Sequence, residues 1–268
     1  MTDVPEPERG IRYLSGSPTR VAVLEQVCDE ATSPAALVDA TDVSRTTVHR
    51  TLTDLVDRNW VERVDGGYAA TAVGALALES YRNAQTEFRT LDRVEPFLAR
   101  VDATVDDLEI EWFRTAELST VTESNPHQPL EWYADRLEAA DPERLRGVAP
   151  VISRQFIGVH APVIERGTPT ELVIDESTYC AVADRYPDAL RASVSLPNYE
   201  LYVARESPSV GLTLIDSAVF LGAYGEGRQL VAILESGNDR LRAWAADRYR
   251  EHREDARRVT ADAVPKSG

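Results

Sequence analysis

The stretch DVSRTTVHRTLTDL, residues 42–55, decides the fold of the first part of the chain, because it has the pattern of the turn and recognition helix of a helix-turn-helix. Ser44 is a good N-cap, since its hydroxyl can accept a hydrogen bond from a free N–H group of the first turn. Val48, Leu52 and Leu55 recur at spacings of four and three residues and therefore share one buried face. The residues left to meet base edges and phosphates are Ser44, Arg45, Thr46, Thr47, His49 and Arg50. The competing interpretation is an ordinary amphipathic helix with its polar side in water.

Two further helices are predicted upstream of this stretch. Ser17-Pro18 and Ser33-Pro34 each place a capping residue before an N1 proline, which is typical of helix starts. Apolar residues recur along one face of the first helix, and the second, shorter helix carries Leu37 and Val38. The connection to Ser44 is short, as a helix-turn-helix requires.

A hairpin is predicted downstream of the recognition helix. Asn59 can end that helix, because asparagine tolerates the left-handed conformation in which many helices end. Trp60–Val64 and Tyr68–Ala70 then read as two strands around a glycine turn. Three helices followed by this hairpin predict a winged helix, and we expect the wing to add Arg63 and Tyr68 to the DNA-binding residues.

This part of the chain resembles the winged-helix regulators common in archaea, in which Ser-Arg-x-Thr-Val-x-Arg-x-Leu opens the recognition helix. The matching residues are Ser44, Arg45, Thr47, Val48, Arg50 and Leu52. The chain departs from the usual pattern at Asn59-Trp60, where the family has a glycine and a small aliphatic residue. The resemblance implies double-stranded DNA as a partner and does not indicate the operator sequence.

The charge balance is unusual for a DNA-binding protein. The 268 residues include 45 acidic and 29 basic side chains, the net charge is −16, and Lys266 is the one lysine. Such an acidic, lysine-poor surface resembles that of haloarchaeal proteins, which stay hydrated in molar salt. At about 1 M salt the Debye length is about 3 Å, so repulsion from phosphates acts only near contact distance. Recognition then depends more on bidentate arginine contacts and DNA shape than on counterion release.

The length, the cysteine content and the distribution of apolar residues mainly exclude structural classes. The length allows two modest domains. Cys28 and Cys180 lie among apolar residues on predicted helices, so we expect buried thiols rather than a disulfide. No apolar run approaches the ~20 residues of a membrane span, and the polar N-terminus does not resemble a signal peptide. We therefore expect a cytoplasmic protein without membrane contact.

A long helix is predicted after the wing, capped by Thr71 and running from residue 72 to about residue 91. Its apolar stripe needs a partner, which is either the same helix in a second subunit or the next domain. We expect a homodimer, with the stripe residues Val73, Ala77, Ala84 and Phe88 at the joint. The predicted domains are a winged helix over residues 1–71, a helical linker or dimerisation segment over 72–101, and a sensing or oligomerisation domain over 102–268.

The last part of the chain mixes strands and helices. The predicted strands are Leu108–Phe113, Gly147–Ile152, Glu171–Ile174, Tyr199–Val203, Gly211–Ile215, Ala218–Tyr224 and Gln229–Leu234. The predicted helices are Pro129–Ala139, Arg154–Glu165, Glu176–Tyr186 and Asn238–Val259. The first strands alternate with helices, and the later strands follow one another as antiparallel hairpins. This order predicts an α/β arrangement around one mixed sheet, which makes the whole chain α+β.

Residues 129–258 resemble the effector domain of archaeal regulators related to the methanogenesis-regulator family. The matching features are Arg146-Gly147-x-x-Pro150, Gly167-x-x-x-Glu171-Leu172-Val173, Val210-Gly211-Leu212-Thr213-Leu214, Ala223-Tyr224-Gly225-x-Gly227 and Trp244-Ala245. The resemblance implies a transcription regulator with a C-terminal sensing or oligomerisation domain, and it supplies no ligand.

The residue pattern holds no recognisable catalytic constellation, so we expect no enzyme, no cofactor and no metal. Lys266 stands near the C-terminus and cannot serve as a P-loop or Schiff-base lysine. The histidines lack the spacing of zinc sites; they are His49, His127, His160 and His252. His160 follows an apolar helix face and is interpreted as a packed core imidazole. The glycines of residues 222–227 join two strands, which favours a hairpin turn over a phosphate-binding loop.

Three hypotheses remain open for the C-terminal domain. It senses a small-molecule effector, it serves only assembly or protein contacts, or it is an enzyme tethered to DNA. A cavity between the sheet and its helices, lined by arginines such as Arg146, Arg154 or Arg205, would favour the first. A filled core with an apolar outer face would favour the second, and a cleft holding histidine and carboxylates would favour the third.

Overall fold

The computed structural model describes residues 6–101 and 108–265, and the chain divides into two compact units, Met1–Arg89 and Thr90–Gly268. The boundary lies inside a long helix, so the segment predicted as a linker, residues 72–101, is shared between the two units. The predicted fold class, a winged helix joined by a long helix to an α/β domain with a mixed sheet, is confirmed.

The first unit is a winged helix with one additional helix at its start. Its elements are α1 (Glu6–Ser15), α2 (Pro18–Asp29), α3 (Pro34–Thr41), α4 (Arg45–Asp57), β1 (Val61–Val64), β2 (Gly67–Ala70) and the larger part of α5 (Ala72–Leu98). Ser33, Ser44 and Thr71 cap α3, α4 and α5 by accepting backbone hydrogen bonds at their hydroxyl oxygens. Asn59 has a φ of 57°, the left-handed conformation predicted for the end of the recognition helix α4.

Helix α1 is the element of the first unit that the sequence pattern does not predict. Its side chains Tyr13 and Leu14 are buried in the winged-helix core. The guanidinium groups of Arg20 and Arg58 lie over the Tyr13 ring at 4.4 and 4.1 Å, and Trp60 meets the ring edge-on. Cation–π and aromatic contacts thus hold a largely polar helix against α2 and the end of α4.

The second unit is built on an eight-stranded mixed sheet. Its strands are β3 (Glu117–Thr120), β4 (Leu145–Val148), β5 (Thr170–Asp175), β6 (Tyr199–Ala204), β7 (Gly211–Leu214), β8 (Val219–Tyr224), β9 (Leu230–Ser236) and β10 (Arg257–Arg258), in the order β10-β6-β5-β4-β7-β8-β9-β3. Its helices are α6 (Gln128–Ala140), α7 (Arg154–Glu165), α8 (Glu176–Arg185), α9 (Pro187–Val194) and α10 (Asp239–Glu254). β4, β5 and β6 are parallel, and the other pairings are antiparallel.

Helices cover both faces of this sheet. Alternate residues of the strands face opposite sides, so Leu172 packs with α7, α8 and α9 while Val173 packs under α10. The α10 face also receives the end of α5, through Val94 and Phe97. The sheet is therefore buried on both sides, which explains the almost continuous burial of β5 to β9.

Several predicted elements of the second unit need correction. Leu108–Phe113 is not a strand; its end, Ile110–Phe113, is a short 3-10 helix that buries Phe113, and the sheet edge beside β9 is occupied by β3 instead. The final helix does not reach Val259, because the chain turns after Glu254 and residues 257–258 pair with β6. Cys180 is exposed and Cys28 is half-buried, so the prediction of two buried thiols is wrong, although both are free.

Within residues 6–101 and 108–265, no helix combines the length and the apolar character that crossing a bilayer requires.

Candidate functional site

The recognition helix α4 is anchored on one side and open on the other. Val48, Leu52 and Leu55 are at most 1% exposed, so the orientation of the helix is set by the core. The residues predicted to contact DNA that the structure leaves exposed on this helix are Arg45, Thr46, His49 and Arg50. Thr47 is half-buried, and Ser44 is exposed at the cap.

The two arginines of this face are available for contacts. Within the described residues, neither Arg45 nor Arg50 makes a hydrogen bond or an ion pair. They are five residues apart, about 140° around the helix, so the two guanidinium groups leave α4 in different directions. An arginine in this state can direct its planar fork of donors at the O6 and N7 atoms of a guanine.

Ser44 and Thr47 form a pair at the start of α4. The Ser44 hydroxyl accepts a hydrogen bond from the Thr47 N–H at 3.3 Å, and the two side-chain oxygens are 2.9 Å apart. One of the two hydroxyl hydrogens is used between them, and the other remains to be donated. A helix N-terminus with a free hydroxyl donor is suited to a phosphate oxygen.

Sequence reasoning missed Thr53 on the same face. Thr53 is exposed and follows His49 by four residues and Arg50 by three, so it continues the polar face along the helix. Its hydroxyl donates to the backbone carbonyl of His49 at 3.0 Å. The helical spacing would have revealed it, whereas the family pattern did not include it.

The structure exposes one of the two wing residues that were predicted to contact DNA. Arg63 is exposed on β1, but Tyr68 is only 9% exposed and packs in the winged-helix core. The Arg63 guanidinium lies over the Tyr68 ring at 5.7 Å, so the tyrosine supports the arginine rather than facing solvent, and we leave it out of the candidate surface. Glu62 and Asp65 are exposed nearby on the hairpin and reduce its attraction for phosphates.

The long helix α5 carries an exposed apolar stripe in the first unit. Val73, Leu76 and Phe88 are 57%, 62% and 67% exposed, and Ala77 and Ala84 are half-buried. These five residues recur on one side of the helix, whereas Leu78 on another side is buried in the core. Leu76 was missed because the predicted stripe followed spacings of four and seven only.

A cavity of about 580 Å³ lies between α10 and the loop that follows β6. Its lining includes Arg205 and Arg248 together with Trp244, whose indole N–H is buried without a hydrogen-bond partner among the described residues. Of the arginines named from the sequence, Arg205 lines the cavity. Arg146 instead lies under α10, over the Tyr249 ring at 5.6 Å, and Arg154 is exposed on α7.

The same cavity brings His252 close to acidic residues, the combination that a catalytic site would need. The acidic residues of its lining are Glu206, Glu251 and Asp255. Burial lowers the pKa of His252, so the imidazole favours its neutral form. In the described part of the chain His252 makes no hydrogen bond to a carboxylate, and no group of three or more His, Cys, Asp or Glu is arranged to hold a metal ion. No oriented acid–base pair is formed here.

His160 is a core imidazole, as predicted, and it belongs to a buried polar network. Its Nδ1 lies 2.9 Å from the Phe156 carbonyl oxygen and therefore carries the hydrogen. Its Nε2 lies 2.9 Å from the Tyr133 hydroxyl, which in turn is 2.9 Å from the Thr213 hydroxyl oxygen. Burial lowers the pKa of His160 to about 4 and raises that of Tyr133, so both groups are uncharged near neutral pH.

Comparison with known proteins gives two family matches, which together span most of the chain. Residues 126–255 match the family described as the middle domain of the methanogenesis regulatory protein FilR1. Residues 8–93 match the family described as the HVO_A0261 N-terminal domain. No curated protein matches the chain.

Solved structures match this chain only at low similarity. TrmBL2, described as an archaeal chromatin protein with a novel mode of DNA binding, is 12% identical over 93% of this chain and 99% of its own, with a TM-score of 0.41. Nuc from Salmonella typhimurium, a phospholipase D family member, is 14% identical over 55% of this chain and 98% of its own, with a TM-score of 0.40. Similarity at this level carries no argument about function.

Proposed function

We propose that this chain is a transcription regulator that binds DNA sequence-specifically as a homodimer and responds to a ligand held by its second unit. Its two family matches support the regulatory role. The observation that carries the proposal is the exposed polar face of α4, presented by a capped helix whose other side is fully buried. A rigid helix with two unpaired arginines can hold the geometry that bidentate base readout needs.

The residues of α4 divide into two roles. Arg45 and Arg50 read base edges, because their guanidinium groups are free and point in different directions. Ser44 and Thr47 hold a phosphate at the helix N-terminus, since one hydroxyl hydrogen remains to donate. His49 lies between the two arginines, and Thr53 extends the same face toward the end of the helix.

Dimerisation is proposed through the exposed stripe of α5. Three large apolar side chains that are more than half exposed lie on one side of a single helix: Val73, Leu76 and Phe88. Ala77 and Ala84 between them are small enough to allow a second helix to approach closely. Two copies would read two half-sites and roughly add their contact energies, which raises affinity without a basic surface.

The ligand response is proposed for the cavity beside α10. It has room for a metabolite-sized molecule, and its lining offers arginines and carboxylates. This open, charged cavity favours sensing over a domain that serves assembly alone. The acidic composition supports the proposal that this function operates in molar salt, where the negative protein can approach DNA.

Selection of duplexes from a random DNA pool by the full chain, in about 2 M KCl, tests the DNA-binding claim. We expect one enriched motif with two inverted half-sites whose centres are about 10 base pairs apart or a multiple of that spacing. Enrichment of a single half-site would contradict the dimer and leave sequence-specific binding standing. No enrichment at any salt concentration would contradict the proposed function.

A further inference from the structure

A second cavity, of about 140 Å³, lies under α7 on the other face of the sheet from α10. It is enclosed by α7, by the parallel strands β4 to β6, and by the segment that follows α9. Its walls are mainly apolar, formed by side chains such as Ile152, Phe156, Ile164 and Leu172. The cavity is smaller than the sites of drug-sized ligands, and it shares no lining residue with the arginine-lined cavity.

The cavity contains one polar group that the fold leaves unused. Tyr199 lines the cavity and is only 8% exposed, and its hydroxyl has no hydrogen-bond partner among residues 6–101 and 108–265. Of the other polar side chains of the lining, His160 has both nitrogens engaged, and the Thr170 and Ser193 hydroxyls donate to the Thr168 and Ala189 carbonyl oxygens. Glu165 is exposed to solvent. The hydroxyl is not sealed from water, so a bound ligand can offer it the hydrogen bond that it otherwise makes only with solvent.

The rim of the cavity is apolar and open. Ile157 on α7 is 37% exposed and Leu196 after α9 is 41% exposed, and both belong to the lining. Large side chains exposed at the mouth of an apolar cavity give a small molecule a route of entry. Glu165 is the charged residue of the lining. Among the residues that the structure describes, the lining includes no arginine or lysine side chain that could balance the charge of an anionic ligand.

We propose that this cavity binds a small, uncharged and mainly apolar molecule that carries one hydroxyl group, of the size of a phenol. The size follows from the volume, because a cavity of about 150 Å³ lined by aliphatic and aromatic side chains holds a benzene ring. The hydroxyl follows from Tyr199, which can both donate and accept a hydrogen bond. The absence of charge follows from the lining, since a buried carboxylate without a cation is strongly disfavoured.

Ligand-observed NMR on the full chain without DNA, at pH 7 in high salt, tests this site with phenol, benzene and benzoate. We expect phenol to bind, benzene to bind about five- to tenfold more weakly for want of one hydrogen bond, and benzoate to bind most weakly of the three. Tyr199→Phe should remove the preference for phenol over benzene and leave the dissociation constant of benzene unchanged.

Two further variants locate the binding. Ala161→Leu, which fills the cavity from α7, should weaken phenol and benzene alike, whereas Ala181→Leu, on the exposed side of α8, should change neither. If Ala161→Leu fails to fold, the ratio of phenol to benzene affinity in Tyr199→Phe decides alone. The proposal is overturned if wild type binds none of the probes, or if Tyr199→Phe keeps the wild-type preference. Because no DNA is present, these outcomes are independent of the proposed DNA-binding function.

Discussion

Gly74 shows how a single residue joins the wing to the long helix. A Cβ atom at this position would overlap the carbonyl oxygen of Trp60 and lie 2.8 Å from its carbonyl carbon. The Gly74 N–H also donates to the Thr71 hydroxyl at 3.1 Å, so the first turn of α5 is fixed at this point. The sequence pattern predicted the cap and the helix but gave no sign that the glycine is required, because the contact is between distant parts of the backbone.

Gly74→Ala is expected to destabilise the first unit by about 1–3 kcal/mol, since backbone on both sides must shift to admit one methyl group. Urea unfolding in high salt measures the change. Gly158→Ala on α7 is the matched control, because nothing lies within 4 Å of the new atom. The control should be neutral or stabilising by up to about 1 kcal/mol through helix propensity. Equal effects of the two substitutions would contradict this account of Gly74.

His160 predicts a pH dependence of the stability of the second unit. Its pKa is about 4 in the fold and about 6.5 when unfolded, so the unfolded chain binds more protons between these values. The contribution of His160 is therefore complete above about pH 6.5 and is lost progressively as the pH falls from about 6.5 to about 4, up to about 3 kcal/mol in total. Denaturation between pH 4.5 and 7.5 measures it. His160→Gln should flatten the pH dependence, the exposed His127→Gln should not, and equal slopes in all three proteins would contradict the prediction.

Elements with their own start and stop signals were the ones that the sequence predicted well. Helix α7 has the predicted bounds, because Ser153 caps it and Gly167, with a φ of 95°, follows its end. The recognition helix was equally clear for the same reason. Both are defined by local chemistry and need no knowledge of what they pack against.

Elements defined by distant partners were missed or misassigned. β3 is a strand because Glu117–Thr120 pairs with β9, more than a hundred residues later in the chain. Residues 257–258 leave the helical pattern because they pair with β6. Helix α1 depends on the cation–π contacts of Tyr13, and α9 starts at Pro187 directly after α8. The cavities lie between such elements, so their lining could be named only in part beforehand.

The stripe of α5 predicts that the dimer is lost when charge is placed on it. Ala77→Glu together with Ala84→Glu should give a monomer, because two copies of the stripe would bring four carboxylates together in an apolar interface. Static light scattering at micromolar concentration in high salt measures the mass. Ala75→Glu is the control, since Ala75 is exposed on another side of the same helix. A wild-type monomer, or a dimer that survives both substitutions, would contradict the proposed interface.

The charge of the whole molecule predicts how its stability responds to salt. Surface ion pairs such as Arg82–Glu25 and Arg258–Glu200 are partly exposed, and pairs of this kind contribute about 0–1 kcal/mol each. Repulsion within a net charge of −16 acts on the entire compact state, and we expect it to outweigh them. Added salt screens both the attraction within ion pairs and the repulsion within the net charge. Because the repulsion is expected to be larger, salt should stabilise the folded state.

The melting temperature should therefore rise with KCl up to molar concentration, with poor folding or aggregation below about 1 M. Thermal melts across a KCl series check this. A parallel series in a non-ionic osmolyte separates the screening of charges from the stabilisation that any solute excluded from the protein surface gives. A melting temperature that does not depend on salt would contradict the assignment to a high-salt environment.

The affinity of the whole chain for its selected operator, compared between wild type, Arg50→Ala and Arg89→Ala, tests the central claim most directly. Both substitutions remove one exposed arginine from the first unit, but only Arg50 lies on the polar face of α4. Arg50→Ala should lose about 1–3 kcal/mol of binding free energy and should no longer discriminate at one base pair of each half-site. Arg89→Ala should bind operator and single-base variants as wild type does. If Arg50→Ala keeps both affinity and selectivity, Arg50 does not read a base and the proposed arrangement of the interface is wrong.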